Sequence, residues 1–170
     1  IYGKEINQEE FYNDVNEELN FYEVSSMLTG QQMTEQQREE IRNSVWERYK
    51  YLGLIENELN AYGVKVSKEE IQKAMTNPQT QEVQLILSVA NAFMGNPTLD
   101  GYKQFLANFD KQLAQVHQQN PGSEEILIKT KQACLYAEKR LAKSLLMTKY
   151  NALVSNGFTS NPVVVKMKFD

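Results

Sequence analysis

Residues 34–59, TEQQREEIRNSVWERYKYLGLIENEL, decide the fold class. Thr34 stands three residues ahead of Gln37. At that spacing the threonine hydroxyl accepts from the third helical N–H, and the glutamine amide accepts from the threonine N–H. Ile41, Val45, Tyr49, Leu52, Ile55 and Leu59 then recur every three or four residues, with Trp46 beside the stripe. That period belongs to one face of an amphipathic α-helix. Gly63 supplies the stop, because glycine adopts the left-handed conformation that ends many helices.

The same signals repeat on both sides. Asn7 precedes Glu9 and Glu10, an N-cap followed by negative charge in a first turn. It opens a helix over about 8–28 with Phe11, Val15, Leu19 and Tyr22 on one face, ended by Gly30. Downstream, Ser67 and Glu70 form a second capping box before a short helix through Ile71 and Met75, stopped by Asn77-Pro78. Val83, Ile86, Leu87, Ala90 and Phe93 mark a helix over about 80–94, broken at Gly95-Asn96-Pro97. Thr98 caps one helix carrying Leu99, Tyr102, Leu106, Phe109, Leu113 and Val116. Asn120-Pro121-Gly122 is a turn, and Ser123 opens a long helix to about residue 155, with Ile128, Leu135, Ala142, Leu145, Leu146 and Leu153 expected inward.

The two ends read differently. Residues 1–6 look extended, and Val163, Val165, Met167 and Phe169 alternate with Val164, Lys166 and Lys168. A period of two is that of a half-buried strand. A lone strand leaves its backbone groups unpaired, so the tail is expected to pair with residues 1–6; the alternative is that it leads into a following domain. The expectation is a mainly α fold. It is a compact bundle of about six helices, one domain over 1–170, with short extended segments at both termini.

Composition narrows the function. With a net charge of −4 the chain is a poor partner for nucleic acid, whose phosphates favour basic surfaces. No apolar run approaches the roughly 20 residues of a membrane span. The chain starts at Ile1 without a visible signal peptide, as expected of a processed protein or a piece of a longer one. The charge is uneven: Glu5, Glu9, Glu10, Asp14, Glu17 and Glu18 against Lys4 near the start, and Lys129, Lys131, Lys139, Arg140, Lys143 and Lys149 against Glu138 over 129–149. These runs are either solvated faces, or elements that pack side by side, or a basic face for an acidic partner. Cys134, the only cysteine, reads as a buried small hydrophobe.

Chemistry-bearing patterns are missing. His117 is the single histidine and has only Gln115, Val116, Gln118 and Gln119 beside it, so an exposed helix-end residue is expected. No zinc spacing or phosphate-binding glycine loop occurs. Carboxylate pairs such as Glu39/Glu40 are sequence neighbours, which diverge by about 100° on a helix. No catalytic residue, metal or cofactor is expected. Nine tyrosines and six methionines are the more informative class. Tyrosine offers apolar area with a polar tip, and methionine adapts to varied partners. Tyr12, Tyr22, Met27, Met33 and Tyr51 are the candidate binding residues, with core or core-rim roles as the alternative. Met27 and Met33 flank the Thr29–Gln32 loop, and Tyr51 lies about 200° from Tyr49 on its helix, away from the apolar stripe.

The order of elements resembles a known family. Tyr2-Gly3-Lys4-Glu5-Ile6, then Glu10-Phe11 and Val15, is similar to the "NGKxI…EF…V" opening of SurA/PpiD-type periplasmic chaperones and prolyl isomerases, with Tyr2 in place of the usual Asn. Val45 to Leu59 followed by Tyr62-Gly63-Val64-Lys65-Val66-Ser67-Lys68-Glu69-Glu70-Ile71 resembles the family's "LI…LL…A…G…VSxxEI" core. Asn77-Pro78 and the segment from Leu99 to Leu106 look like its later "P…FD…Y…L" segment, and Asn161-Pro162-Val163 to Phe169 like an exit strand toward a parvulin domain in the PpiD-like branch.

The resemblance implies an N-terminal chaperone domain of SurA type in the bacterial periplasm, tethered in PpiD-like members by an N-terminal membrane helix. It also implies that isomerase activity belongs to other domains of full-length relatives. The chain lacks the histidine pair of a parvulin site. The leading expectation is a non-catalytic holdase for unfolded or nascent envelope proteins. A docking scaffold for one dedicated partner, through the basic face over 129–149, is the runner-up, and an unrecognised enzyme ranks third.

Overall fold

In the computed structural model, residues 6–156 are described. They form seven helices: α1 (Gln8–Leu28), α2 (Glu35–Ala61), α3 (Lys68–Ala74), α4 (Gln81–Met94), α5 (Leu99–Ala107), α6 (Phe109–Gln119) and α7 (Glu124–Ser155). The expected terminal pairing lies outside the described residues. The fold is mainly α, as the periodicity implies.

The helix starts follow from local chemistry. The Asn7 side chain accepts from the N–H groups of Glu9 and Glu10. Thr34 and Gln37 complete one reciprocal capping box, and Ser67 and Glu70 the other. The Thr80 and Thr98 side chains accept from Val83 and Gly101. The expected single helix after Thr98 is instead two, meeting at Asn108. There the Asn108 side chain donates to the Gln104 carbonyl at 2.9 Å, local bonding that competes with helix continuation. Phe105 and Phe109, four residues apart across this junction, both enter the core, with ring centroids 6.0 Å apart.

α7 runs through the centre and packs against α1, α3, α4 and α6. Its buried side chains are Leu127, Thr130, Ala133, Cys134, Tyr136, Ala137 and Leu141. This corrects the expected inward stripe: Ile128 and Leu135 are 39% and 46% exposed. A helix with neighbours on several sides needs small residues at its contacts, because interaxial distance follows side-chain size. Ala133, Ala137, Cys134 and Thr130 meet that need. Val83, Ile86, Val89 and Ala90 of α4, Tyr102 and Phe105 of α5 and Phe21 and Val24 of α1 complete the main core.

The opposite charge runs of α1 and α7 lie side by side. Lys139 donates to Glu17 at 3.0 Å and lies 3.6 Å from Asp14. Glu18, only 3% exposed, accepts from Arg48 of α2 at 3.2 Å, from Arg140 of α7 at 2.7 Å and from the Tyr136 hydroxyl. Arg140 also donates to Glu82 of α4 at 2.8 Å, and its guanidinium lies 4.4 Å from the centroid of the Phe21 ring. One carboxylate therefore ties α1 to α2 and α7, and through Arg140 to α4. Lys149 extends the pattern to α3, 2.7 Å from Glu70.

At the α4–α5 corner, Gly95 takes the left-handed conformation (φ +63°) that ends α4. A β-carbon on Gly101 would come within 1.9 Å of the Asn96 carbonyl oxygen. Only a residue without a side chain lets α5 approach the corner this closely.

Two outcomes follow for stability. Glu18→Ala leaves two guanidinium groups with one buried counter-charge removed, and chemical denaturation should register a loss of about 3–5 kcal/mol. Gly101→Ala forces backbone to move and should cost at least about 1–3 kcal/mol in the same measurement; a wild-type midpoint would mean that the corner yields freely.

Candidate functional site

Three surface features gather most of the large apolar side chains that the core leaves out; Ile128 and Leu135 lie outside them. The first is aromatic. Phe11 of α1 meets Trp46 and Tyr49 of α2 edge-on, at centroid distances of 5.7 and 5.4 Å, and Tyr12 lies 5.8 Å away. Edge-to-face packing is the favoured aromatic arrangement. Tyr12 nonetheless stays 60% exposed, and Trp46 is exposed beside it.

The second is a cleft of about 660 Å³ between the first half of α1, the middle of α2 and α7, lined by Asp14, Glu17, Tyr49, Leu52, Lys139 and Lys143 among others. Its charges largely satisfy one another. The Tyr49 hydroxyl donates to Asp14 at 2.5 Å; burial first, and then that carboxylate, push its pKa well above the usual tyrosine value. An adjoining hollow of about 410 Å³ shares Arg48, Leu52, Lys139 and Lys143 and adds Tyr51 and Met147.

The third is a cleft of about 570 Å³ formed by the C-terminal end of α1, the loop after it, the start of α2 and the start of α7. Met27, Met33 and Ile126 give it apolar walls, and Asn20, Glu23, Arg38 and Lys129 its polar parts. Arg38 pairs with Glu23.

The five candidate residues therefore fall in different places. Met27 and Met33 meet in one cleft. Tyr12 sits on the aromatic edge, and Tyr51 projects at the rim of the smaller hollow, 60% exposed. Tyr22 is half-buried, packs edge-on against Phe21 at 5.2 Å and accepts from Arg140 at 3.5 Å. Sequence reasoning missed Ile126 and Leu54, both exposed. A signal existed for Ile126: in Ile126-Leu127-Ile128, successive helical residues diverge by about 100°, so all three cannot face one core.

His117 is exposed, as expected, but it does have an acid partner. The turn before α7 brings Glu124 to its Nδ1, and the same carboxylate accepts from the Gly122 N–H at 2.7 Å. Hydrogen bonds from His117, then from backbone amides, hold the Glu124 carboxyl at a pKa of about 2. Cys134 is buried, and desolvation pushes its thiol up to about 12. A thiol so shifted stays protonated and unreactive. Among the described residues, no group of three His, Cys, Asp or Glu side chains is placed to hold a metal ion. No described helix is long and apolar enough to cross a membrane.

Comparison with known families adds one match: the model of the SurA-like N-terminal domain covers residues 1–115. The chain belongs to the SurA-like N-terminal domain family. Domains of this family are non-catalytic chaperone modules and are typically periplasmic. No curated protein and no solved structure matches the chain. The matched span includes α1, α2 and both methionines of the third cleft.

The Glu124 pairing has a checkable pH signature. Because its folded-state pKa lies below the ordinary 4.5, the pairing adds stability above pH 4.5 and loses it as pH falls toward 2. Carboxyl NMR titration should place the Glu124 midpoint near 2, and His117→Ala should move it up toward 4.5. A midpoint of 4.5 in the unaltered chain would show that the pair does not form in solution.

Proposed function

We propose that this domain is a holdase: it shields apolar, aromatic-rich segments of unfolded or nascent envelope proteins and performs no chemistry itself. The observation that carries the reading is the set of large apolar side chains left at the surface of the α1–α2 pair. Tyr12, Met27, Trp46 and Tyr51 stay exposed around a core that is otherwise densely packed. Such side chains offer a client apolar area at about 25 cal/mol per Å². Ordering costs offset much of that gain, so binding is weak and tolerant of sequence. Membership of a chaperone-domain family supports the same reading.

In the finer form of the proposal, the chain is a single chaperone domain over 1–170 of a PpiD-like protein. Such a protein works in the periplasm, held to the inner membrane by a segment outside this chain, and its isomerase activity resides in another domain. The net charge of −4 disfavours nucleic acid as a client. The docking-scaffold alternative is weakened by where the basic residues lie. Lys139, Arg140 and Lys149 pair within the fold, and Lys131 lies 4.2 Å from the centroid of the Phe109 ring.

Light scattering of an unfolded outer-membrane protein diluted into buffer tests the reading. The full chain at near-stoichiometric ratio should suppress aggregation. Tyr51→Ala should leave the melting temperature unchanged and weaken suppression, because its side chain touches solvent rather than core. A folded chain that suppresses nothing sinks the holdase proposal.

A further inference from the structure

We propose that the methionine-lined cleft between α1, α2 and α7 holds one peptide group of an extended, uncharged client segment, with the neighbouring apolar client side chain seated among Met27, Met33 and Ile126. This rests on the client-binding reading above and adds the place and the ligand chemistry.

The apolar walls come first. Met27 is 44% exposed and Ile126 51% exposed, and both line the same concave surface. The volume, about 570 Å³, lies within the roughly 300–1,000 Å³ of sites that enclose small ligands. Thioether side chains have three rotatable bonds and reshape around varied occupants.

The backbone beside the cleft offers donors. After α1, the Gly30 N–H donates to the Met27 carbonyl at 3.1 Å and the Gln31 N–H to the Ser26 carbonyl at 2.8 Å. The Thr34 N–H donates to the Gln37 side chain at 2.8 Å. Between them, the N–H groups of Gln32 and Met33 meet no acceptor among the described residues, and both residues line the cleft. An unpaired N–H of this kind can donate to the C=O of a peptide laid against it.

Asn20, another lining residue, supplies the acceptor. Its Nδ2 donates to the Lys129 carbonyl at 2.9 Å, which fixes the amide orientation. Its Oδ1 is then buried without a donor. Buried polar atoms are normally paired, and an orphan calls for a partner.

Donors from the loop and an acceptor from α1 complement a peptide unit, which carries one C=O and one N–H. Charge selects the kind of segment. Glu23 and Arg38 neutralise each other, and Lys129 lies 3.2 Å from Glu125. The cleft thus suits a neutral segment better than an acidic or basic one.

The test uses the full chain and a fluorescein-labelled peptide of about twelve residues, with phenylalanine and methionine spaced among serine and glycine. Fluorescence anisotropy should show binding. Met27→Asp and Ile126→Asp should each weaken it about tenfold with unchanged melting, whereas Lys103→Asp on α5 should not. N-methylation of the central peptide amides should weaken binding comparably, which a purely greasy contact would not predict. In the unaltered chain, the methyl resonances of Met27 and Met33 should shift on peptide addition. If the unaltered chain binds while the folded variants bind equally well, or the methyl resonances stay still at saturation, the cleft assignment is overturned and the holdase reading stands. If the chain neither binds the peptide nor suppresses aggregation, both fall together.

Discussion

The Glu18 carboxylate is the point on which the rest of the arrangement depends. A charge so deeply buried survives only if opposite charge and hydrogen bonds surround it. Arg48, Arg140 and Tyr136 provide them from two other helices, and Arg140 carries the linkage on to Glu82 of α4. Apolar packing alone tolerates small slips of one helix along another. A fixed carboxylate with donors reaching it from separate helices does not, so the register of α1 on α7 is set, and with it the position of everything carried by the α1–α2 pair.

That anchoring explains how a compact domain keeps apolar groups outside. α4, α5, α7 and the later half of α1 form the main core. α2 is joined to this body chiefly through α1, by the aromatic edge, by Tyr49 on Asp14 and by Arg48 on Glu18. Hollows lie along it between the points of attachment. Surface concavity is therefore a product of a long helix held by a few strong contacts, and stability does not require those hollows to be filled.

What was legible in the sequence was local. Asn7, Thr34, Ser67 and Thr98 each act on an amide two or three residues away, so the residues themselves announce the helix starts. Ser123 shows the limit: it precedes α7 but makes no side-chain cap bond. Which face turns inward was less legible. Ile128 and Leu135 are seven residues apart and look like a core stripe, yet the crowded interior takes Ala133, Cys134 and Ala137 instead. Glu18 was invisible, because in an acidic run it reads as one more solvated carboxylate, and its partners lie 30 and 122 residues away. For the same reason the Met27–Met33 pairing could be anticipated from the loop between them, whereas Ile126 could not be placed beside them.

The burial of Cys134 has a bearing on life outside the reducing cytosol. An exposed lone thiol there would seek any other thiol and couple two chains, or couple this chain to another protein. Enclosed at the centre of α7 and kept protonated, the sulfur is withheld from that exchange while the domain is folded. The native packing thus serves as a protecting group, and the chance of an unwanted cross-link is tied to how often the domain opens.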